Sequence, residues 1–330
     1  MNVCLIDVDS KIPNLALMKA STWHKQHGDT VKLWYEPLFD HPDLCYMSKM
    51  FEWSDEPDFL PTDADILRGG AGYPDLREVR MPFDVEGQDY DRIMPDYELY
   101  REVYPKMDVA IGRFTRGCIR NCPWCVVPKM DGRKVRHVAD LDDWWDHQTQ
   151  VRVLDDNLLA DSDLFCKACE QIKSKGKAIK KVIWEALDIR LITDETAAAL
   201  HSLGGSYTIH FAWDGPAQDD AVPKGIEILR RNGVRPYRLM FYILVGFNTT
   251  YEYDMHRIMT LKEMGCHPYV MPFRENGVIS PYCHFLSRWC NNKFVFKKCL
   301  SFDDYTPWQN YLKKNPGYLE QVKESDGEAR

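Results

Sequence analysis

From Asp108 onward the sequence alternates short apolar runs with helix-length amphipathic stretches, and one run, Leu239-Met-Phe-Tyr-Ile-Leu-Val, is apolar at every position. A strand with no polar face must be covered on both sides, as happens inside a parallel sheet flanked by helices. Further strands are read at 109–115, 151–154, 181–186, 207–213 and 268–272. Between them fall helices at 141–150, 163–174, 193–203, 223–232 and 253–264. Gly204-Gly205 supplies a helix stop after the third of these. A closed eight-fold barrel takes about 250 residues, so six strand–helix units predict an open, partial (β/α)6 barrel over residues 106–275.

The loop after the first of these strands carries Cys118, Cys122 and Cys125 within Arg113-Phe-Thr-Arg-Gly-Cys-Ile-Arg-Asn-Cys-Pro-Trp-Cys, a CxxxCxxC triad. Three close thiolates suit a [4Fe-4S] cluster, in which each cysteine holds one iron and the fourth iron stays open to another ligand. A zinc site would ask for four ligands, commonly as two pairs, and no second CxxC or close histidine pair follows. A disulfide with a spare thiol, a zinc knuckle and three unrelated thiols are the alternatives.

With Trp124 before its last cysteine, this motif resembles that of the radical S-adenosylmethionine (radical SAM) enzymes, over about half the chain. The resemblance implies a [4Fe-4S] cluster on Cys118, Cys122 and Cys125, with S-adenosyl-L-methionine chelating the open iron. It also implies one-electron cleavage to a 5'-deoxyadenosyl radical, fed by an external donor such as a flavodoxin or ferredoxin. The protein's share of that chemistry is to position and shield.

In parallel barrels ligands sit beyond the carboxyl ends of the strands, so the residues just after each strand are the candidates. Asp156 and Asn157 follow the second strand, where a carboxylate suits the ammonium of the methionine moiety; an Asx turn is the alternative. Asp188 and Arg190 follow the third, and a guanidinium can grip the methionine carboxylate with two bonds, unless the two residues simply pair with each other. Asp214 stands where the family contacts ribose hydroxyls. Gly246, in Ile243-Leu-Val-Gly-Phe-Asn, resembles the family's adenine-binding element, and Met271, Phe273 and Arg274 follow the last strand.

Residues 1–105 read as a separate α/β unit, with strands at 3–8 and 31–35, a helix at 14–26 and a glycine turn at Gly69-Gly70. The unit resembles the cobalamin-binding domain that precedes many radical SAM enzymes. The family's cobalt-ligating Asp-x-His-x-x-Gly is absent, because Asp9-Ser-Lys-Ile-Pro-Asn holds no histidine, and His24 and His27 read as surface residues. A Rossmann-like, degenerate cobalamin-binding-like domain without cobalamin is expected. Residues 74–110 read as a linker, and 276–330 as a C-terminal lid packed by Trp289, Phe294, Phe296 and Tyr305, ending in a frayed terminus from 319. Cys266, Cys283, Cys290 and Cys299 match no compact ligand motif, so burial is the reading preferred over an auxiliary cluster.

A net charge of −8 argues against nucleic acid as a general partner, leaving it only as a substrate, although Arg113, Arg116, Arg120, Lys129, Arg133, Lys134 and Arg136 crowd the cysteine loop. No apolar run nears the ~20 residues that cross a bilayer. Eleven cysteines behind a start that reads as a strand predict a reducing, cytoplasmic setting. The stretch Cys125-Val-Val-Pro-Lys-Met-Asp-Gly-Arg also resembles methylthiotransferases, though their N-terminal cysteine triad and RNA-binding tail are not seen. Methylthiotransferase-like chemistry, cobalamin-type methyl transfer, a non-catalytic iron–sulfur carrier or sensor, and a structural zinc protein are the competing functions.

Overall fold

The computed structural model describes residues 1–34, 36, 40–73, 89–275 and 277–325, and divides into two compact units, Met1–Ile183 and Trp184–Arg330. The first unit opens with β1 (Asn2–Asp7), helix α1 (Leu15–Gln26), β2 (Thr30–Leu33), β3 (Leu44–Ser48) and β4 (Asp65–Gly69). All pairings are parallel, in the order β2-β1-β3-β4. Alternation along β1 explains the layers: Val3 and Leu5 pack with Leu17, Ala20 and Trp23 of α1, while Cys4 and Ile6 face Cys45 and Met47 on the other side. Asn14 begins the helix by accepting the N–H groups of Ala16 and Leu17, which would otherwise lack partners.

Strand β3 is absent from the sequence reading. Its Leu-Cys-Tyr-Met-Ser has no β-branched residue to signal a strand, yet four of its five residues are buried between β1 and β4. His24 also departs from expectation. It is fully buried, with Nδ1 2.7 Å from Asp29 and Nε2 2.9 Å from the Tyr46 hydroxyl, so it belongs to the core. His27 stays exposed, as expected. Most of the expected linker, 74–88, lies outside the described residues. Gly70 takes φ +100°, and a Cβ there would stand 2.4 Å from the Lys49 carbonyl, so the turn after β4 requires glycine.

The same unit continues with β5 (Val109–Gly112), β6 (Thr115–Arg116), the short helix α2 (Val127–Met130), β7 (Arg136–His137), β8 (Gln150–Val153), α3 (Ser162–Ser174) and β9 (Lys181–Trp184). β5 and β8 pair parallel from Val109↔Gln150 to Gly112↔Val153. The helix expected at 141–150 is only a three-residue turn, Leu141–Asp143. Trp144 leaves that turn to lie buried against Gly112, where even a Cβ would meet its ring at 2.1 Å, and His147 turns the chain at φ +64°.

The second unit sets β10 (Ser206–Ala212), β11 (Leu239–Val245) and β12 (His267–Pro272) side by side and parallel. Helix α4 (Asp194–Ser202) precedes β10, α5 (Ala221–Arg231) and α6 (Tyr251–Glu263) join the three strands, and α7 (Pro281–Asn291), α8 (Lys293–Lys298), α9 (Thr306–Lys314) and α10 (Tyr318–Ser325) follow. β11 is not covered equally on both faces. Leu239, Phe241, Ile243 and Val245 are fully buried, whereas Met240, Tyr242 and Leu244 are half-buried. Helix α7 covers the β12 edge, and Asn291 binds both the N–H (2.7 Å) and the carbonyl (2.9 Å) of Val270. Trp289, Phe302 and Trp308 are fully buried in the aromatic packing of this tail. Phe294, expected among the packing aromatics, is instead exposed on the short α8, and residues 326–330 lie outside the described residues. The architecture is thus α/β with parallel sheets. No helix among the described residues is long and apolar enough to cross a membrane.

Candidate metal and cofactor site

A two-residue antiparallel ladder, Thr115↔His137 and Arg116↔Arg136, closes the loop that holds the cysteines. Gly117 enters it at φ +92°, where a Cβ would lie 2.2 Å from the Lys134 carbonyl; only glycine fits so tight an entry. Cys118 donates its N–H to the Gly132 carbonyl at 3.1 Å, and Cys125 donates to Cys122 at 3.0 Å, so backbone bonds hold both ends of the triad. All three cysteines are half-buried and free of disulfides. Trp124 is 39% exposed beside Cys125.

The residues after β8 reach this loop. Asp155 is fully buried and accepts the N–H groups of Phe114 (2.9 Å) and Thr115 (2.6 Å) and the Thr115 hydroxyl (2.5 Å). Burial outweighs those bonds and pushes its carboxyl up to about 6. Asp156 accepts the Gly117 N–H at 2.7 Å, and burial raises its pKa despite Arg113 at 3.8 Å. Asn157 donates its amide to Cys118 Sγ at 3.4 Å, while its buried Oδ1 has no hydrogen-bond partner among the described residues. Asp155 therefore braces the loop, and Asp156 and Asn157 touch it.

Arg116 is spent on structure. It grips Asp91 at 2.6 and 2.8 Å and Asp131 at 2.8 Å, and these contacts with acids, although burial opposes them, raise its pKa. Arg136 binds the Asp131 carbonyl, so two of the cations crowding the loop hold it together.

In the second unit, Arg190 meets Asp188 through two bonds, Nε at 2.6 Å and Nη2 at 2.9 Å, which realises the paired alternative. Asp214 accepts the Leu244 N–H at 3.2 Å, and burial raises its pKa. Gly246 takes φ +77° with the Cys283 sulfur 2.8 Å from where a Cβ would stand, so its openness serves the packing of α7. Met271 is 45% exposed at the end of β12, Phe273 packs on Phe247, and Arg274 donates to the Gly277 carbonyl. Cys266, Cys283 and Cys290 are buried and Cys299 is half-buried. Burial raises the Cys283 thiol to about 11 and Cys266 to about 12.

Sequence reasoning missed a polar group in this unit. His210 Nδ1 lies 2.7 Å from Glu185 Oε2, and the Tyr242 hydroxyl lies 3.3 Å from that oxygen and 3.2 Å from the same nitrogen. The sequence marks only that His210 and Tyr242 are polar residues on otherwise apolar strands; their meeting on the half-buried face is not a local signal.

The donor chemistry of the cysteine loop fits an iron–sulfur cluster: three cysteines outside any disulfide in one loop, next to the buried Asn157 Oδ1, which has no hydrogen-bond partner among the described residues. Among the described residues no three His, Cys, Asp or Glu side chains converge on a single ion. A cubane does not require that, since each thiolate binds a different iron.

No family model matches the chain. Over 158 residues, 43% of its length, it is 23% identical to the ribosomal protein uS12 methylthiotransferase RimO of Histophilus somni. The match covers 32% of RimO, so the chain spans about a third of the length of this relative. Among solved structures, HydG, a maturase of the [FeFe]-hydrogenase, is similar at TM-score 0.40 and 14% identity, over 67% of this chain and 58% of HydG. An HPPK-DHPS structure is similar at TM-score 0.29 and 12% identity, over 92% of this chain and 46% of that one. Neither likeness is close enough to argue from.

Proposed function

We propose that this chain is a radical SAM enzyme. The observation that carries the reading is the cysteine loop, in which three cysteines outside any disulfide stand in a backbone-bonded turn whose Gly117 and Cys118 are contacted by Asp156 and Asn157. Cys118, Cys122 and Cys125 would hold a [4Fe-4S] cluster. When bound, such a cluster supplies the electron that cleaves S-adenosyl-L-methionine reductively to a 5'-deoxyadenosyl radical.

The chain's own residues would bind and orient that cofactor. The proposed roles are Asp156 and Asn157 for the ammonium, Asp188 and Arg190 for the carboxylate, and Asp214 for the ribose, with Trp124, Gly246 and Met271 as further contacts. The fold belonging to this reading is a partial (β/α)6 barrel over 106–275, preceded by a degenerate cobalamin-binding-like, Rossmann-like domain over 1–105 and followed by a lid over 276–330. A cytoplasmic setting, an external one-electron donor and a cofactor set without cobalamin complete it.

Methylthiotransferase-like chemistry is the second reading, supported by the sequence match to RimO, which would make a ribosomal protein or a nucleic acid the substrate class. Anaerobic reconstitution with iron and sulfide, followed by dithionite and S-adenosylmethionine, tests the first reading. 5'-Deoxyadenosine should form at several turnovers per chain. A protein that takes up iron yet makes none is a carrier or sensor, and the enzyme reading fails.

A further inference from the structure

Parallel strands are stable when their faces are apolar, yet the half-buried face of the second unit's sheet carries an ionisable cluster in mid-strand. Glu185 follows β9, His210 is in β10 and Tyr242 is in β11, and all three meet within hydrogen-bond distance. Burying such groups costs free energy that apolar residues would not cost, so stability alone does not account for them. Glu185 accepts at 2.7 Å, which assigns the N–H of the imidazole to Nδ1. His210 Nε2 makes no hydrogen bond among the described residues, although the ring is only 10% exposed. Tyr242 is in register with Tyr269 of β12, their rings meeting edge to face at 5.7 Å, and Tyr269 and Met271 are 40% and 45% exposed. An oriented imidazole with one open nitrogen thus stands on a sheet face that also carries exposed apolar surface.

We infer that His210 is a proton-accepting residue for the substrate, that Glu185 and Tyr242 position it, and that the substrate presents an N–H or O–H to Nε2. The proton passes from that group to Nε2, the substrate keeps the bonding pair, and the imidazolium is held against the Glu185 carboxylate. Tyr269 and Met271 supply apolar contact beside it. This deepens the proposed function by naming the polar end of the substrate, yet its test needs neither iron nor cofactor.

The probe is diethyl pyrocarbonate, which acylates an accessible, unprotonated imidazole nitrogen, followed on the native full-length chain by peptide mass spectrometry. His210 should label in the folded protein at a rate comparable with exposed His201. Glu185→Gln should slow it by ~10-fold, the scale on which losing an orienting carboxylate acts. Tyr242→Phe, which keeps the ring packing, serves if Glu185→Gln fails to fold, and should slow labelling in the same direction. A His210 that resists labelling until the chain is unfolded, or whose rate ignores both substitutions, would show a merely structural cluster and overturn the assignment. Because iron uptake plays no part, this result stands apart from failure of the radical SAM reading.

Discussion

Asn157 places its side-chain amide 3.4 Å from the sulfur of Cys118, tying the turn after β8 to the loop that follows β5. The neighbouring Asp156 binds the N–H of Gly117, so two consecutive residues reach the two that open the cysteine triad. A polar run that would otherwise be an ordinary turn is thereby committed to one place. Hydrogen bonds to cluster sulfurs are among the means by which a protein sets a cluster's potential.

The first prediction follows from that contact. Replacing Cys118, Cys122 or Cys125 by alanine should abolish bound iron and the visible absorbance after reconstitution, because each thiolate supplies one iron bond. Asn157→Ala should keep the iron and shift the cluster's reduction potential, measured by redox titration with electron paramagnetic resonance detection. A cysteine variant with a full complement of iron and sulfide would show that the triad is not the ligand set.

How far the sequence could reveal this arrangement depended on the kind of signal. β11 is legible to the residue because seven consecutive apolar positions admit few alternatives, and the triad is legible because ligand spacing is local. β3 was lost because Leu44-Cys-Tyr-Met-Ser has no β-branched residue and no apolar/polar alternation to mark it, and becomes a strand when β1 and β4 bury it. The helix expected at 141–150 failed for a related reason: its apolar residues include Trp144, which tertiary packing draws against Gly112. The Glu185–His210–Tyr242 contact joins residues up to 57 positions apart, and local spacing cannot register such a pairing.

Asp155 gives a pH prediction. Its folded pKa is about 6 against an ordinary 3.8, so the folded chain retains this proton where the unfolded chain releases it. Its contribution is therefore fully favourable below 3.8 and declines as pH rises through about 6. Asp155→Asn should flatten the fall in unfolding temperature across that interval. It should also lower stability throughout by about 1–3 kcal/mol, since the amide nitrogen would face one of the Phe114 and Thr115 N–H groups and leave it unpaired. Thermal unfolding of both proteins at several pH values checks the slope, and parallel curves would count against the assigned shift.

Gly246→Ala should destabilise the second unit by about 1–3 kcal/mol, the usual cost of a non-glycine residue in the left-handed region. Contact with Cys283 adds to that cost. Cys283→Ala in the same chain should recover part of the loss, because it removes the sulfur but leaves φ at +77°. Chemical denaturation of the two single variants and the double variant measures the coupling. Strict additivity would mean that the glycine serves something other than the approach of α7.

The last prediction concerns Arg190, proposed for the carboxylate of the cofactor's methionine end although its guanidinium fork is on Asp188. Those two bonds leave two outcomes. If the pair is pre-organisation, Asp188 holds the guanidinium ready and a second carboxylate joins it. If the pair is only structural, the fork is spent. Truncating one partner of a desolvated charge pair costs about 2–5 kcal/mol, so a binding role makes Arg190→Ala weaken S-adenosylmethionine binding by about 30-fold or more at unchanged iron content. Asp188→Asn separates the cases further, since it removes the competing charge while retaining the shape. Under the binding reading it weakens the affinity, because the guanidinium loses the charge that holds it ready; under the structural reading it lowers unfolding temperature and leaves affinity where it was. Titrating the cofactor into reconstituted protein, with the cluster's electron paramagnetic resonance signal as readout, measures all three proteins. Equal affinities for wild type and Arg190→Ala would remove this residue from the cofactor site.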